Sequence, residues 1–209
     1  NGSTGALGSC STTGSGFSGP RGISLNPAGT YVYVTNFSAN NVSVCSVNGS
    51  TGALGSCSTT GSGFSGPRGI SLNPAGTYVY VTNFSANNVS VCSVNGSTGA
   101  LGSCSTTGSG FSTPYNITLN PAGTYAYVAN YTPDTVSVCS VNGSTGALGP
   151  CSTTGSGFNG PTGITFNYDA TYVYVVNNAN NNVSRCVVNS STYILTYCGV
   201  PLATEPDYY

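Results

Sequence analysis

Tyr31-Val32-Tyr33-Val34-Thr35-Asn36, preceded by Asn26-Pro27-Ala28-Gly29-Thr30, reads as a turn followed by a strand. Pro27 fixes φ and Gly29 is free to take a positive φ, so the chain reverses there. The hexapeptide carries β-branched and aromatic residues on both faces, the pattern of a buried strand. On its N-terminal side, Gly22-Ile23-Ser24-Leu25-Asn26 alternates apolar and polar residues, a short strand. On its C-terminal side, Ser38-Ala39-Asn40 is a turn and Val42-Ser43-Val44-Cys45-Ser46-Val47 alternates again. Asn48-Gly49 opens a hairpin. Leu54-Gly55-Ser56-Cys57-Ser58 is a fourth, weaker strand, and a Gly/Ser/Thr loop then leads to Pro67. No segment carries helical periodicity.

The whole four-strand unit recurs every 47 residues, beginning at Asn1, Asn48, Asn95 and Asn142, with a partial unit from Asn189. The first two units are identical at every position. Four short strands in a repeat of about 40–50 residues is the pattern of a propeller blade. The expected fold is therefore all-β: β-propeller-type blades of four antiparallel strands, in 47-residue tandem repeats, with one hairpin disulfide per blade. The expected divisions are residues 1–17 as the outer strand of an incomplete blade, 18–64, 65–111, 112–158 and 159–200 as four blades, and 201–209 as a tail. All belong to one repeat domain.

The tetrapeptide Tyr33-Val34-Thr35-Asn36 recurs as Tyr80-Val81-Thr82-Asn83, and more loosely as Tyr127-Val128-Ala129-Asn130 and Tyr174-Val175-Val176-Asn177. With the preceding Asn-Pro-Ala-Gly-Thr turn and the following Val-Ser-Val strand, it resembles the YVTN-type β-propeller repeat of secreted bacterial and archaeal proteins. That repeat is similar in turn to lactonase-like seven-bladed propellers. The resemblance covers nearly the whole chain and implies a bladed sheet fold, often at cell surfaces. It says less about function, because propellers host unrelated activities. This chain departs from the pattern in having Cys in every unit and few units.

Among 209 residues, Lys and Arg together number 3 and Asp and Glu 4, with no His. Nucleic-acid binding needs clustered cations and is excluded. Chemistry that needs an imidazole base is excluded as well. No run of about 18 apolar residues marks a membrane-spanning helix. A net charge of -1 with 38% apolar residues argues for order rather than disorder.

Nine Cys point to an oxidising compartment. Zinc is disfavoured, since the Cys form no C-x-x-C pairs and no His can assist. Cys45 and Cys57 lie on strands joined by one hairpin, and the same spacing pairs Cys92 with Cys104, Cys139 with Cys151, and Cys186 with Cys198. Each such bond closes a loop of about a dozen residues, worth about 2–3 kcal/mol on the chain-entropy model. The alternative is buried, reduced Cys acting as small hydrophobes. Cys10 falls outside this scheme, because its repeat-equivalent partner precedes residue 1. Three explanations stand: a segment of a longer propeller, a ring closed near Cys186 at the expense of Cys198, or a bond to another molecule.

Asn-x-Ser/Thr sequons occur at Asn1, Asn36, Asn41, Asn48, Asn83, Asn88, Asn95, Asn116, Asn130, Asn142, Asn182 and Asn189. Hairpin tips are exposed, so Asn48, Asn95 and Asn142 are the first glycosylation candidates. Asn41, Asn88, Asn116, Asn130, Asn182 and Asn189 follow. Asn36 and Asn83 read as structural residues at strand ends.

The four acids, Asp134, Asp169, Glu205 and Asp207, do not recur as a pair, so a carboxylate dyad or calcium site has little support. Arg21 and Arg68 precede the first strand of their units, and Tyr115 and Thr162 replace them in later units. The first strand of a propeller blade is innermost, so these side chains are placed to face a channel or a neighbouring blade. Bonding to backbone carbonyls is favoured over anion binding. Arg185 replaces Val44 and its equivalents, as at a soluble edge or a subunit contact. No catalytic residue, cofactor or metal site is assigned. The reading that follows is a non-enzymatic, glycosylated structural protein of the extracellular space or cell surface. Its open blade edge would self-associate, head to tail, into a filament or surface layer. The alternatives are a glycan- or protein-binding module, and the lactonase-like enzyme that the resemblance implies.

Overall fold

The computed structural model describes residues 9–199. Sixteen strands form four sheets of four, each a plain antiparallel meander from the innermost strand outward. Blade 1 holds β1 (Pro20–Leu25), β2 (Tyr31–Asn36), β3 (Asn41–Val47) and β4 (Leu54–Thr60). Blade 2 holds β5 (Pro67–Leu72), β6 (Tyr78–Asn83), β7 (Asn88–Val94) and β8 (Leu101–Thr107). Blade 3 holds β9 (Pro114–Leu119), β10 (Tyr125–Asn130), β11 (Thr135–Val141) and β12 (Leu148–Thr154). Blade 4 holds β13 (Pro161–Phe166), β14 (Tyr172–Asn177), β15 (Asn182–Val188) and β16, only Leu195–Thr196. Among the described residues no helix is long and apolar enough to cross a membrane.

The turn before each second strand is built by one asparagine. Asn26 Oδ1 accepts from the backbone N–H of Thr30 and of Tyr31, both at 2.8 Å, and Gly29 takes φ 69°. Blade 4 has Tyr168-Asp169-Ala170 here. Ala170 is forced to φ 61°, and Asp169 is held by Thr171, whose N–H and hydroxyl both donate to it. Those hydrogen bonds hold the Asp169 carboxyl below its ordinary value. The fourth strand begins after a longer reversal than Asn48-Gly49 suggests. Asn48 N–H donates to Ala53 O, and Gly52, not Gly49, takes a positive φ, of 71°.

Three apolar junctions glue the blades. Tyr33, Val42 and Val44 of blade 1 pack on Phe64, Ile70 and Leu72 of blade 2, and the same sets recur between blades 2 and 3 and between blades 3 and 4. Each buried Tyr also spends its hydroxyl across the junction. Tyr33 donates to Gly99 O and Tyr80 to Gly146 O, both at 2.7 Å, and Tyr127 donates to Tyr193 O at 2.6 Å. Burial pushes the Tyr33 and Tyr80 phenols up to about 12, and Tyr127 further still. A second tie runs along the outer rim, where Thr60 Oγ1 accepts from Leu101 N–H at 2.6 Å.

Four disulfides join Cys45–Cys57, Cys92–Cys104, Cys139–Cys151 and Cys186–Cys198, one per blade; the first three link directly paired residues of the third and fourth strands, and the last runs from β15 to the turn after β16. Cys186 bonds Cys198, so the ring closure through Cys10 is not the one formed; Cys10 lies exposed outside the four pairs. Of the expected outer strand in residues 1–17, the first eight residues lie outside the described residues, as does the 201–209 tail, and residues 9–17 form no strand. A strand needs a ladder partner, and none of the described strands pairs with this segment. It is anchored instead by Thr13, whose Oγ1 accepts from Leu54 N–H at 2.7 Å.

Candidate functional site

The innermost strands converge on a cavity of about 300 Å³, lined by Pro20 to Ile23, Arg68 to Ile70, Tyr115, Asn116 and Thr162. Their close approach needs glycine: a Cβ on Gly69 would stand 2.6 Å from Asn116 Cα. In β1, β5 and β13 the pairing with the second strand slips just after the initial proline, and β9 slips at the same end. Such a bulge re-aims a side chain. The four re-aimed residues are Arg21, Arg68, Tyr115 and Thr162, the same repeat position in each blade, and all four reach the cavity. The sequence places the arginines before their strands; the structure puts each second in its strand, inside the bulge.

Arg68 is clamped by aromatic rings. Its Cζ lies 4.0 Å from the Phe84 centroid, 4.2 Å from Tyr115 and 5.1 Å from Phe37. The rings themselves form a row, with Phe84 edge-on to Tyr115 at 6.1 Å and Tyr115 tilted against Tyr131 at 5.8 Å. Arg68 Nε is buried without a hydrogen-bond partner, so it does not cap a backbone carbonyl as expected. A guanidinium held this way gains cation–π stabilisation and keeps donors for a ligand. Arg21 is exposed at the mouth, its Cζ 5.4 Å from the Phe37 ring. No carboxylate lines the cavity, so the field of both arginines is uncompensated there and favours anions or developing negative charge.

The remaining candidates fall elsewhere. Asp134 Oδ1 accepts from Gly160 N–H at 2.6 Å, the role that Asn40 plays for Gly66, so it is a link between blades. Arg185 lies on β15 with its Cζ 4.6 Å from the Tyr172 ring. Among the described residues no group of His, Cys, Asp and Glu gathers to hold a metal ion.

Asn48, Asn95, Asn142 and Asn189 are exposed at hairpin tips, each spending only Oδ1 on the turn. Asn130 needs correction as a glycosylation candidate. It is 1% exposed, and its Nδ2 donates to Thr135 and Ser137, as Asn36 Nδ2 does to Asn41 and Ser43. Asn116 lines the central cavity rather than a loop tip. Asn41, Asn88 and Asn182 accept from the buried asparagine of their own blade.

Two overlapping stretches, residues 7–114 and 64–205, match the family described as lactonase, 7-bladed beta-propeller. Among solved structures, a putative 6-phosphogluconolactonase from Bacteroides uniformis superposes with a TM-score of 0.70 at 20% identity, covering 85% of this chain and 52% of that one. The periplasmic gluconolactonase of Pseudomonas aeruginosa gives 0.70 at 19% identity, covering 86% and 52%. A protein from Lactobacillus plantarum gives 0.70 at 22%, covering 85% and 53%. The chain thus spans about half the length of these structures. A comparison with curated proteins finds no match. Four disulfides fit an extracellular or periplasmic compartment.

These matches correct the functional expectation. A non-enzymatic structural protein building a filament or surface layer, expected from near-identical units, missing catalytic side chains and an incomplete blade, is not what the family match supports. The family found is one of lactonases, and it joins the YVTN-like repeat and the four-stranded blades to an enzyme lineage. With more than half its length matched, the chain belongs to the lactonase, 7-bladed beta-propeller family.

Proposed function

We propose that the chain contributes the central channel of a lactonase acting outside the reducing cytosol. The substrate class is a sugar-derived lactone, and the reaction is hydrolysis of its ring ester. The observation that carries this reading is the arginine pair: Arg21 and Arg68 enter one cavity from adjacent inner strands, and Arg68 Nε is buried with no partner.

A lactone carbonyl carries no charge, whereas the tetrahedral species formed by water or hydroxide attack carries an oxyanion. Fixed guanidinium donors in a walled cavity stabilise that charge more than the ground state. The attacking oxygen bonds to the carbonyl carbon, the ring C–O bond breaks, and the departing alkoxide takes a proton from water, leaving a hydroxy acid. No His or carboxylate of the described residues lines the cavity to act as base. Hydroxide is then the nucleophile, and the rate rises with pH across neutrality.

Hydrolysis of a panel of γ- and δ-lactones, followed by acid release, tests this. Turnover that falls about 10²–10³-fold in Arg68→Gln and less in exposed Arg21→Gln, with unchanged circular dichroism, supports it. No turnover of any lactone by the folded chain, or turnover indifferent to both arginines, sinks it.

A further inference from the structure

One repeat position in the innermost strands differs in blade 3 from the other three blades. It is Gly22 in β1, Gly69 in β5 and Gly163 in β13, but Asn116 in β9. In blades 1 and 2 the glycine leaves room for a threonine of the second strand. Thr35 Oγ1 accepts from Gly22 N–H at 2.7 Å and donates to Arg68 O at 2.6 Å. Thr82 Oγ1 accepts from Gly69 N–H at 2.8 Å and donates to Tyr115 O at 3.2 Å. Blade 3 exchanges both members of this pair, so that Asn116 stands opposite Ala129. A hydroxyl inside the blade is lost and a polar side chain on the cavity wall is gained. That side chain lies beside Gly69, the residue after Arg68: a Cβ on Gly69 would stand 3.0 Å from Asn116 Oδ1.

The Asn116 amide has a fixed sense. Ile117 N–H donates to its Oδ1 at 2.7 Å, and only the oxygen of an amide accepts, so the two ends of the group cannot be exchanged. Its Nδ2 finds no acceptor among the described residues. A purely structural role would use Oδ1 alone, and Gly22, Gly69 and Gly163 show that a blade forms without any side chain here. We infer, on the strength of the lactonase reading, that Asn116 is a catalytic residue: its Nδ2–H donates, beside Arg68, to the oxyanion that forms when hydroxide adds to the lactone carbonyl. The amide lends a hydrogen bond and transfers no proton, so the balance of the hydrolysis is unchanged. A donor already pinned by its own backbone needs no reorganisation as the charge develops, which is what makes such a group effective.

Two variants separate the catalytic role from a structural one. Asn116→Asp keeps the acceptor for Ile117 N–H, removes the donor and sets a negative charge against the oxyanion. Asn116→Gly combined with Ala129→Thr restores in blade 3 the Gly–Thr pair with which blades 1 and 2 fold. Both should keep the urea midpoint of the unsubstituted chain and lower kcat for lactone hydrolysis by about 10²–10³-fold, with kcat/KM falling equally because the interaction is made only in the transition state. A cyclic phosphonate, whose tetrahedral anionic oxygen mimics the oxyanion, gives a readout without turnover. Calorimetry should show its affinity weakened about tenfold or more in both variants, as in Arg68→Gln. Turnover and phosphonate binding that respond to Arg68→Gln but not to the Asn116 variants overturn the role of Asn116 and leave the lactonase reading standing. Loss of turnover that tracks a lowered urea midpoint assigns Asn116 to the fold and overturns it too. An unsubstituted chain that neither hydrolyses a lactone nor binds the phosphonate overturns both readings.

Discussion

Blades 1 and 2 share one sequence through all four strands and live in different surroundings. Ile23 is 68% exposed and Ile70 is 5% exposed, although each is the fourth residue of Pro-Arg-Gly-Ile-Ser-Leu. Phe17 is half-buried where Phe64 is 6% exposed. The difference shows that burial here belongs to the junction and not to the unit. A blade supplies half of each interface, and what that half contributes depends on the neighbour, as in any nearest-neighbour array.

The most severe way to test that comparison is to truncate the same residue twice. Ile70→Ala removes a packed side chain from the first junction and is expected to cost about 2–5 kcal/mol. Ile23→Ala removes an exposed one and should stay within about 0.5 kcal/mol. Urea unfolding of the two variants reads both numbers. Equal losses would mean that the Ile23 face of blade 1 is covered in solution.

Disulfides sharpen the comparison from the opposite side, because their effect should not depend on the neighbour. Each closes the same sequence separation of 12. Replacing both members of Cys92–Cys104 by Ala should cost about 2–3 kcal/mol, and replacing Cys45–Cys57 should cost the same within error. Cys45 and Cys92 are equally buried, so a much larger loss in blade 2 would show that the bond acts through the packed junction to which Cys92 and Cys104 belong, and not through the unfolded chain.

The same contrast explains what the sequence could and could not convey. Strand number, blade size and disulfide partners follow from local alternation and a fixed period, and both are properties of one unit. The corrected glycosylation candidate was equally local: Asn130 closes Tyr127-Val128-Ala129-Asn130 just as Asn36 closes Tyr33-Val34-Thr35-Asn36, and that register marks it as the buried Asn of its blade. Its Oδ1 nevertheless lacks the partner that Asn36 finds in Ser18 N–H. Thr113 replaces the glycine of the other blades there and takes φ 43°. The cavity was not local. Arg68 is held by Phe37 from the blade before, Phe84 from its own blade and Tyr115 from the blade after. No window of one unit contains that cage. The missing His, by contrast, was visible and misleading, because it excludes one kind of base and leaves charge stabilisation untouched.

The junction tyrosines give the gentlest test. Tyr33 and Tyr80 each lose one hydrogen bond across a junction when changed to Phe, a cost of about 1 kcal/mol, while Tyr174, whose hydroxyl has no such partner among the described residues, should lose almost nothing. Alkaline titration reads the same contrast without mutation. In the unfolded chain a phenol ionises near its ordinary value of 10, whereas burial holds Tyr33 and Tyr80 protonated up to about 12. Between those two pH values the unfolded chain has released protons that the folded chain retains, so stability falls as pH rises through that window and is fully retained below it. Denaturant midpoints measured from pH 9 to 12 should therefore drop steeply above 10, and the drop should shrink in Tyr33→Phe and Tyr80→Phe but not in Tyr174→Phe. A drop unchanged in all three would mean that the junction hydroxyls are not held as the packing requires, and that identical units differ in exposure without differing in the chemistry of their contacts.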